Sequence, residues 1–411
     1  MSRRFRTLCL PSCIALLSHS PAVAQTAGDS IPATALTGVT LIDGTGATPR
    51  ARQTILLQGD RISAIFPDRS RPLPAGVTPI DLSGKFVIPG LIDTHVHVAT
   101  DPSREDTRVR SERRLRKALY GGVTAVRDMA GDVRTLASLQ RDARVGEIES
   151  PDLYYVALFA GPAFFADPRT QDASRGLRAG AVPWMRAISD TTDLRQAVAE
   201  ARGTGASAIK LYADLSGELA RRITSEAHAQ GLRVWAHAAL RPAMPLDVVE
   251  AGADVVSHAS FLVRLSERGR DSVFHAMLRH HTVLEPTLLV FEERPQLQQA
   301  SASIARRAHQ LGITVVAGTD TLGEADTDSL TLPNLHQELE LLVRMAGLTP
   351  GQALAAATRD AARILGEEAD RGTAEVGKLA DLVVLDSNPL IDIRNTRTVR
   401  LVVKRGRLYR R

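Results

Sequence analysis

The chain has 411 residues, of which 44% are hydrophobic and 24% are charged, so it can bury a large core and is neither a disordered nor a fibrous protein. Its formal net charge is +5, but only 4% of its residues are aromatic, and the basic residues do not cluster with them. Because stacking platforms are scarce, a nucleic-acid partner is not expected.

Residues 1–24 have the parts of a secretory signal. Three arginines lie within the first six residues, an apolar stretch runs from Leu8 to Leu17, and Ala22-Val23-Ala24 precedes Gln25 as a cleavage site. Removing three arginines and no acid would lower the net charge from +5 to +2. The expected location of the mature protein is the periplasm or the cell exterior.

Both cysteines, Cys9 and Cys13, lie within this predicted signal. The mature chain then has no thiol, so disulfides and cysteine catalysis are excluded. Two alternatives remain for the segment. Lipidation at Cys13 is disfavoured by Pro11 and by the short apolar run before it, and a membrane anchor is disfavoured by the short apolar core. No other stretch could span a bilayer, so stable membrane insertion is not expected.

The two ends of the mature chain share a β-rich texture. After a flexible lead-in over residues 25–35, short β-type runs alternate with turns over residues 36–88, and the same pattern returns over residues 368–411. Because chain termini often lie close together, both pieces are predicted to form one small β-sandwich domain around a central domain over residues 89–367.

The central domain alternates apolar runs with amphipathic helical stretches such as Thr192–Thr204 and Ser216–Gln230. About eight such alternations predict parallel strands closed into an α/β fold of the (β/α)₈ TIM-barrel type, whose chemistry lies at the carboxyl ends of the strands. The predicted strands are Phe86–Val98, Gly122–Met129, Leu153–Ala160, Ala208–Ala213, Val234–Ala238, Val255–Ser260, Thr282–Leu288 and Ile313–Asp320.

Six residues that can ligate a divalent metal stand at the carboxyl ends of these runs. Because side chains alternate along a strand, His95 and His97 point to the same side and form a two-point chelate. Arg127 and Asp128, at the end of the second strand, are expected to brace ligands or the barrel mouth. The six candidate ligands are His95, His97, Lys210, His237, His258 and Asp320.

The motifs around these residues resemble the amidohydrolase superfamily, in the branch related to imidazolonepropionases and to metal-dependent dipeptidases. They include GKFVIPGLIDTHVH, IKLY, AHA, SHAS, AGTD and the closing VGKLADLVVLDSNPL, and the match extends over the mature chain. The resemblance implies two divalent metal ions, with zinc the expected metal. One would be held by His95, His97 and Asp320, the other by His237 and His258, and Lys210, carboxylated by carbon dioxide, would bridge them.

The residues themselves also favour a chemical role for Lys210. Its neighbours in the strand are apolar, so a buried cation would be costly there, whereas a carbamate is an anion that bridging metals stabilise. Lysine is rare in this chain, at five of the 51 basic residues, which suggests chemistry that only an amine supports. The alternative is an unmodified lysine that pairs with Asp320 or with a substrate carboxylate beside a single metal.

The expected mechanism is attack of a metal-bridging hydroxide on an amide carbonyl. Asp320 would accept the proton of the hydroxide and deliver it to the departing amine. Tyr212 shares the inward face of its strand with Lys210, so it is a candidate to bind the oxyanion or a substrate carboxylate. An alternative role for its hydroxyl is to anchor a neighbouring loop.

The substrate is expected to contact a long segment, Gly161–Asp190, after the third strand, which is predicted to form a lid or pocket wall. It lacks the Gly-Gly-His element of the dipeptidase relatives. Its aromatic and basic residues would suit an N-acyl amino acid or a dipeptide with a free carboxylate. The candidate contacts are Phe164, Phe165, Trp184, Arg169, Arg175 and Arg178, with Arg241 and Arg264 as rival carboxylate clamps.

The sequence therefore predicts a secreted binuclear hydrolase of amide bonds in small molecules. The rival enzymes are a cyclic-amide hydrolase, a lactonase or esterase, and a phosphotriesterase-like hydrolase, because the same site attacks many electrophiles. A periplasmic binding protein is the alternative outside enzymes, and it is disfavoured because no proposed ligand is missing. A homo-oligomer is compatible with the sequence.

Overall fold

The computed structural model describes residues 33–323 and 329–410. The predicted signal over residues 1–24 lies outside the described residues, as does most of the lead-in over residues 25–35. The first strand begins at Thr34, so it includes the last two residues of the predicted lead-in. None of the described helices is long and apolar enough to cross a membrane.

The described strands are, in chain order, β1 (Thr34–Leu41), β2 (Arg50–Gln58), β3 (Arg61–Pro67), β4 (Thr78–Asp81), β5 (Phe86–Pro89), β6 (Leu91–Val96), β7 (Val123–Asp128), β8 (Asp152–Ala160), β9 (Ala181–Val182), β10 (Met185–Ala187), β11 (Ala208–Leu211), β12 (Arg233–His237), β13 (Val255–Ser257), β14 (Val283–Glu285), β15 (Leu382–Leu385), β16 (Val399–Lys404) and β17 (Arg407–Arg410). The described α-helices are α1 (Arg108–Tyr120), α2 (Val133–Val145), α3 (Pro168–Ala173), α4 (Leu194–Gly203), α5 (Gly217–Ala229), α6 (Pro245–Glu250), α7 (Ser260–Val263), α8 (Glu267–His280), α9 (Pro295–Gln310), α10 (Leu335–Arg344), α11 (Pro350–Ala356) and α12 (Arg359–Leu365).

The small domain is a mixed β-sheet built from both ends of the chain, which confirms the predicted union of the two β-rich pieces. Its described strands run in the order β17-β16-β15-β5-β1-β2-β3, with β4 paired to β1. The junction of the two pieces is the antiparallel pair β5–β15, in which Val87 lies opposite Val384. These two valines belong to a separate apolar core, so the sheet is held by side-chain packing as well as by its ladder.

The central domain is a (β/α)₈ barrel, as predicted. Strands β6, β7, β8, β11, β12, β13 and β14 pair in parallel in that order. The predicted eighth strand, Ile313–Asp320, forms an isolated bridge rather than a regular ladder. It still closes the barrel, because Val316 N donates to Leu284 O at 3.0 Å on one side and Thr94 N donates to Ala317 O at 3.2 Å on the other.

One predicted strand is divided in two by the structure. The run Phe86–Val98 is divided between the two domains: β5 belongs to the small sheet and β6 to the barrel. Gly90 stands between them, and a Cβ atom there would collide with the Thr124 side chain. The chain therefore crosses from one sheet to the other where only a glycine can pass close to the neighbouring strand.

The segment Gly161–Asp190 forms part of the barrel wall at the mouth. Within it, β10 pairs in parallel with the carboxyl-terminal half of β8, with Met185 opposite Leu158. Strand β7 pairs with the amino-terminal half of β8. Leu158 N donates to Trp184 O, and Ile188 N donates to Ala160 O, both at 2.8 Å. Of the two predicted roles, the structure supports a fixed wall.

A buried charged cluster joins the barrel floor to the small sheet. Asp152, at the start of β8, accepts from Arg371 at 2.5 Å, lies 2.8 Å from Lys404 Nζ and accepts from Arg405 at 3.1 Å. Burial raises the pKa of Asp152, but the three cations outweigh burial and hold it below its usual value. The fold therefore places its charged cluster at the end of the barrel opposite the predicted site.

Candidate active site and metal centre

A cavity of about 500 Å³ opens at the carboxyl ends of the barrel strands. Its lining includes every one of the six predicted ligands, which come from β6, β11, β12 and the segments that follow β6, β13 and the bridge at Val315. This placement follows from the strand ends read off the sequence. The six lining residues are His95, His97, Lys210, His237, His258 and Asp320.

His95, His97 and Asp320 form a group that could hold a metal ion. One ligand atom from each lies within 4.8 Å of the others. Asp320 Oδ1 lies 3.1 Å from Nε2 of both histidines. Two imidazoles and a carboxylate are a donor set that suits a divalent transition metal such as zinc.

Three of the histidines are held by acceptors on Nδ1. His95 Nδ1 lies 2.6 Å from the Glu285 carboxylate, which can only accept. His97 Nδ1 lies 2.9 Å from Thr100 Oγ1, and the Thr100 hydroxyl donates its hydrogen to Ala130 O. Each Nδ1 therefore carries a hydrogen, and each Nε2 faces Asp320 Oδ1. Burial lowers the pKa of His95, but Glu285 and Asp320 outweigh burial and raise this pKa to about 9, so a metal bound at His95 Nε2 would displace a proton.

His258 follows the same rule. Its Nδ1 lies 2.9 Å from Thr287 Oγ1, and the Thr287 hydroxyl donates to Pro286 O at 2.8 Å. Burial lowers the pKa of His258 to about 3. The ring is therefore neutral and has its Nε2 lone pair available as a ligand.

The imidazole rings form a continuous row along the cavity. Ring centroids are 5.5 Å apart for His97 and His95, 5.1 Å for His95 and His258, and 4.7 Å for His258 and His237. Burial lowers the pKa of His237 well below its usual value, so this ring is also neutral. The row extends beyond the group around Asp320 and brings His237 and His258 together as candidates for a second metal.

Lys210 is 1% exposed at the centre of the barrel. Its Nζ donates to Ser257 Oγ at 3.3 Å and forms no ion pair with a described carboxylate. Burial lowers the pKa of Lys210 to about 8, against the opposing effect of Glu285 and Asp320. About a tenth of the amine is therefore uncharged at pH 7, and this is the form that reacts with carbon dioxide.

Two candidate ligands have a left-handed backbone conformation. His258 has a φ of 72° and Asp320 a φ of 60°, which is uncommon for residues other than glycine. Asp320 N donates to His95 O at 2.8 Å, and His258 N donates to Glu285 O at 2.8 Å. Backbone bonds to neighbouring strands thus hold both residues in conformations that the chain would rarely adopt alone.

The sequence reasoning missed several buried acids around the site. Glu285 orients His95, and Asp93 accepts from Thr319 Oγ1 at 2.8 Å and from His95 N at 3.2 Å. Glu338 accepts from Leu288 N and Leu289 N. These two residues form the turn that leads into the cavity wall. The available signal was an acid inside an otherwise apolar strand, as in VLEPTL around Glu285.

Tyr212, Phe164 and Arg169 lie together on one side of the cavity. The Tyr212 ring is 4.0 Å from the His237 ring and 4.6 Å from the Phe164 ring. Burial raises the pKa of Tyr212, and the guanidinium of Arg169 beside its hydroxyl opposes that change. Phe261 and Phe291 add apolar wall. This side therefore offers a phenol and a cation next to an aromatic surface.

Other predicted substrate contacts do not reach the lining. Phe165 is buried beside Gly180. Trp184 donates from its indole nitrogen to Ala173 O at 3.1 Å and packs in the apolar core. Arg241 and Arg264 are exposed and are not part of the described lining. The same holds for Arg175 and Arg178, since these four side chains lie at the surface.

The pair at the end of the second strand has two different roles. Asp128 accepts from Val98 N at 2.6 Å and from Ala130 N at 3.0 Å, so it braces the loop after His97, as expected. Arg127 instead lies inside the barrel with its guanidinium 4.3 Å from the centre of the Trp235 ring. Arg127 is therefore a core residue and does not brace the mouth.

Comparison with known proteins shows the family of this chain. The model of the amidohydrolase family matches residues 86–409. The chain belongs to the amidohydrolase family. It is a hydrolase that acts on carbon–nitrogen bonds. Its family generally binds divalent metals, and a His95–His97–Asp320 group is present in the chain.

Relatives of this amidohydrolase support the branch inferred from its motifs. It is similar to ochratoxinase from Aspergillus niger, at 28% identity over 79% of this chain and 75% of that protein. It is also similar to imidazolonepropionase from Hyphomonas neptunium, at 26% identity over 81% and 87% of the two chains. The solved structure of a candidate prolidase from Bifidobacterium longum superposes with a TM-score of 0.72 at 29% identity, over 93% and 95% of the chains.

Proposed function

We propose that the protein is a binuclear zinc amidohydrolase that releases amino acids from N-acyl amino acids or dipeptides with an apolar side chain. The observation that carries this proposal is one cavity that holds all six candidate ligands together with Arg169, Tyr212 and an aromatic wall. His95, His97 and Asp320 would hold one metal, and His237 and His258 the second. Bound metals would supply a Lewis acid and lower the pKa of water.

Carboxylation of Lys210 is the second part of the proposal. The uncharged amine attacks the carbon of carbon dioxide, a nitrogen–carbon bond forms, and one carbon–oxygen π pair moves to oxygen. The nitrogen then releases one proton to solvent, which leaves a carbamate anion with a single N–H. The burial of Lys210 and its lowered pKa favour this reaction, and an anion between two metal sites is better tolerated than a bare ammonium.

Asp320 is proposed to move the proton. Its carboxylate faces the His95 and His97 rings through Oδ1 and lies 3.9 Å from His258 Nδ1 through Oδ2. It would take a proton from the attacking water and deliver it to the amine nitrogen that leaves. The Tyr212 hydroxyl, on the same cavity wall, would orient the substrate carbonyl oxygen.

Arg169 is proposed to bind the substrate carboxylate. Its Nε and Nη2 atoms are occupied by Asp167, at 3.1 Å and 2.7 Å, which fixes the guanidinium at the cavity edge. One of the five arginines considered as substrate contacts, Arg169, is in the described lining. The other four are Arg175, Arg178, Arg241 and Arg264. A fixed guanidinium suits a planar carboxylate.

A substrate panel tests this proposal. Protein prepared with zinc and bicarbonate would be assayed with N-acyl amino acids, dipeptides, cyclic amides, lactones and phosphotriesters. The proposal expects the highest kcat/KM for acyl amino acids or dipeptides with apolar side chains. A higher kcat/KM for lactones or phosphotriesters would contradict it and favour one of the rival activities.

Export of the protein is a separate proposal, supported by the composition of residues 1–24. The mature protein is expected to begin at or near Gln25 and to lie in the periplasm or outside the cell. Amino-terminal sequencing of protein from the producing cells tests this. Exported protein that retains Met1, or a lipid on Cys13, would contradict it.

A further inference from the structure

Glu285 is a fully buried carboxylate between two candidate ligands. Its Oε2 atom lies 2.6 Å from His95 Nδ1 and accepts from Ser257 Oγ at 2.7 Å. Its Oε1 atom accepts from Thr94 Oγ1 at 2.6 Å. Glu285 is 0% exposed, so each of these bonds is made without competition from water.

Ser257 extends this arrangement to Lys210. It lies in register with His237 on one side and with Glu285 on the other, and neighbours in register on parallel strands face the same side of a sheet. A serine hydroxyl has one hydrogen. Because that hydrogen is donated to Glu285, Ser257 can only accept from Lys210 Nζ, which lies 3.3 Å away.

Gly318 packs directly against this chain of hydrogen bonds. A Cβ atom at position 318 would lie 2.6 Å from Glu285 Oε1 and 2.7 Å from His95 Cβ. Both distances are too short for real contacts, so a larger residue would displace the carboxylate. The carboxylate, its serine and the glycine beside it are therefore fitted to one another.

Carboxylation changes the number of hydrogens that the Lys210 nitrogen can donate to Ser257. The uncharged amine has two hydrogens, and the carbamate has one. The carbamate is planar because its nitrogen lone pair is delocalised, as in a peptide bond. An acceptor that fixes the direction of the single N–H therefore fixes rotation about the Cε–Nζ bond and the plane of both carbamate oxygens.

We propose that Ser257 and Glu285 are positioning residues that set the plane of the Lys210 carbamate and thereby stabilise the carboxylated form, through the chain Lys210 N–H to Ser257 Oγ and Ser257 O–H to Glu285. The same Glu285 carboxylate accepts from His95 Nδ1, so one buried acid orients both a histidine ligand and the lysine ligand. This inference rests on the proposed carboxylation of Lys210.

The test compares Ser257→Ala with Ser301→Ala. Both serines are 0% exposed, and Ser301 lies on α9 outside the described cavity lining, so the control makes the same chemical change away from the site. Each protein would be equilibrated with zinc and increasing ¹³C-labelled bicarbonate. The carbamate signal would be followed by ¹³C NMR, and zinc content by mass spectrometry.

Ser257→Ala is expected to raise the bicarbonate concentration for half-maximal carbamate about tenfold, which is the effect of one lost buried hydrogen bond. Ser301→Ala is expected to match the unmodified protein. Glu285→Gln keeps an oxygen acceptor but loses its charge, and charge-assisted bonds are about twice as strong as neutral ones. It is therefore expected to fall between the two.

The outcomes separate this inference from the proposed function. A carbamate signal that is lost in Lys210→Ala but is unchanged in Ser257→Ala would overturn the positioning role and leave carboxylation intact. Absence of the signal in the unmodified protein would overturn both. If Ser257→Ala does not fold, an unchanged half-maximal concentration in Glu285→Gln overturns the inference.

Discussion

Arg169→Met is the most informative change for substrate recognition. The side chain of Arg169 is 55% exposed, and Asp167 already occupies Nε and Nη2. The substrate carboxylate would therefore meet the remaining edge of the guanidinium, partly screened by solvent. A hydrogen bond to a charged group contributes roughly 1.5–3 kcal/mol, and the exposure of Arg169 places the expected loss at the lower end of this range.

A loss of about 1.4 kcal/mol corresponds to a tenfold change. We therefore expect kcat/KM for an N-acyl amino acid to fall about tenfold in Arg169→Met. For the same compound with its carboxylate converted to an amide, the expected change is less than about twofold, because the guanidinium then has no anion to bind. The assay is release of free amine, measured for both compounds with each protein.

Arg175→Met is the matched control. Arg175 lies in the same segment, is 60% exposed and pairs with Asp172, but it is not part of the described cavity lining. It is expected to leave both kcat/KM values unchanged. Equal losses on the acid and the amide in Arg169→Met, or an equal loss in the two variants, would refute carboxylate binding by Arg169.

Three further predictions concern metal binding, proton transfer and stability. Thr287→Val removes the acceptor of His258 Nδ1, so zinc affinity in a competition titration is expected to fall about 10–100-fold; unchanged affinity would show that the ring is oriented by other contacts. Asp320→Asn is expected to lower zinc content and, at restored occupancy, to slow amides more than activated esters, whose leaving groups need no proton; equal losses would leave Asp320 as a ligand only. Asp152→Asn removes the acid that pairs with Lys404 and leaves Arg371 with Asp381 alone, so urea denaturation at pH 7 should show a loss of roughly 3 kcal/mol. Because the pKa of Asp152 is lowered in the folded protein, its contribution to stability is complete above its pKa in the unfolded chain, about 3.9, and is lost as pH falls. A variant as stable as the original protein at pH 7 would contradict the role of the cluster.

The sequence was most informative where a rule acts over a few residues. Strand parity placed His95 and His97 on one face, and the ends of apolar runs placed Lys210 and His237 at the barrel mouth. These side chains depend on their own strand alone, so their position follows from local alternation. The structure brings each of them to the same cavity.

Contacts between distant strands could not be predicted in this way. Glu285 meets His95 across 190 positions of sequence, and this bond depends on the closure of the barrel. Trp184 is of a residue type that often lines pockets, but its indole nitrogen donates a hydrogen bond to Ala173 O inside the cavity wall. Composition indicated an aromatic segment beside the site, whereas the pairing of β10 with β8 decides which of its side chains face the cavity.

In the proposed site, two metals share a carboxylated Lys210. The most direct measurement is a crystal structure of protein prepared with zinc and bicarbonate, with anomalous diffraction recorded at the zinc edge. We expect two zinc peaks, one at His95, His97 and Asp320 and one at His237 and His258, joined by density for a carbamate on Lys210. A single zinc peak with a bare Lys210 ammonium would contradict a binuclear site bridged by Lys210.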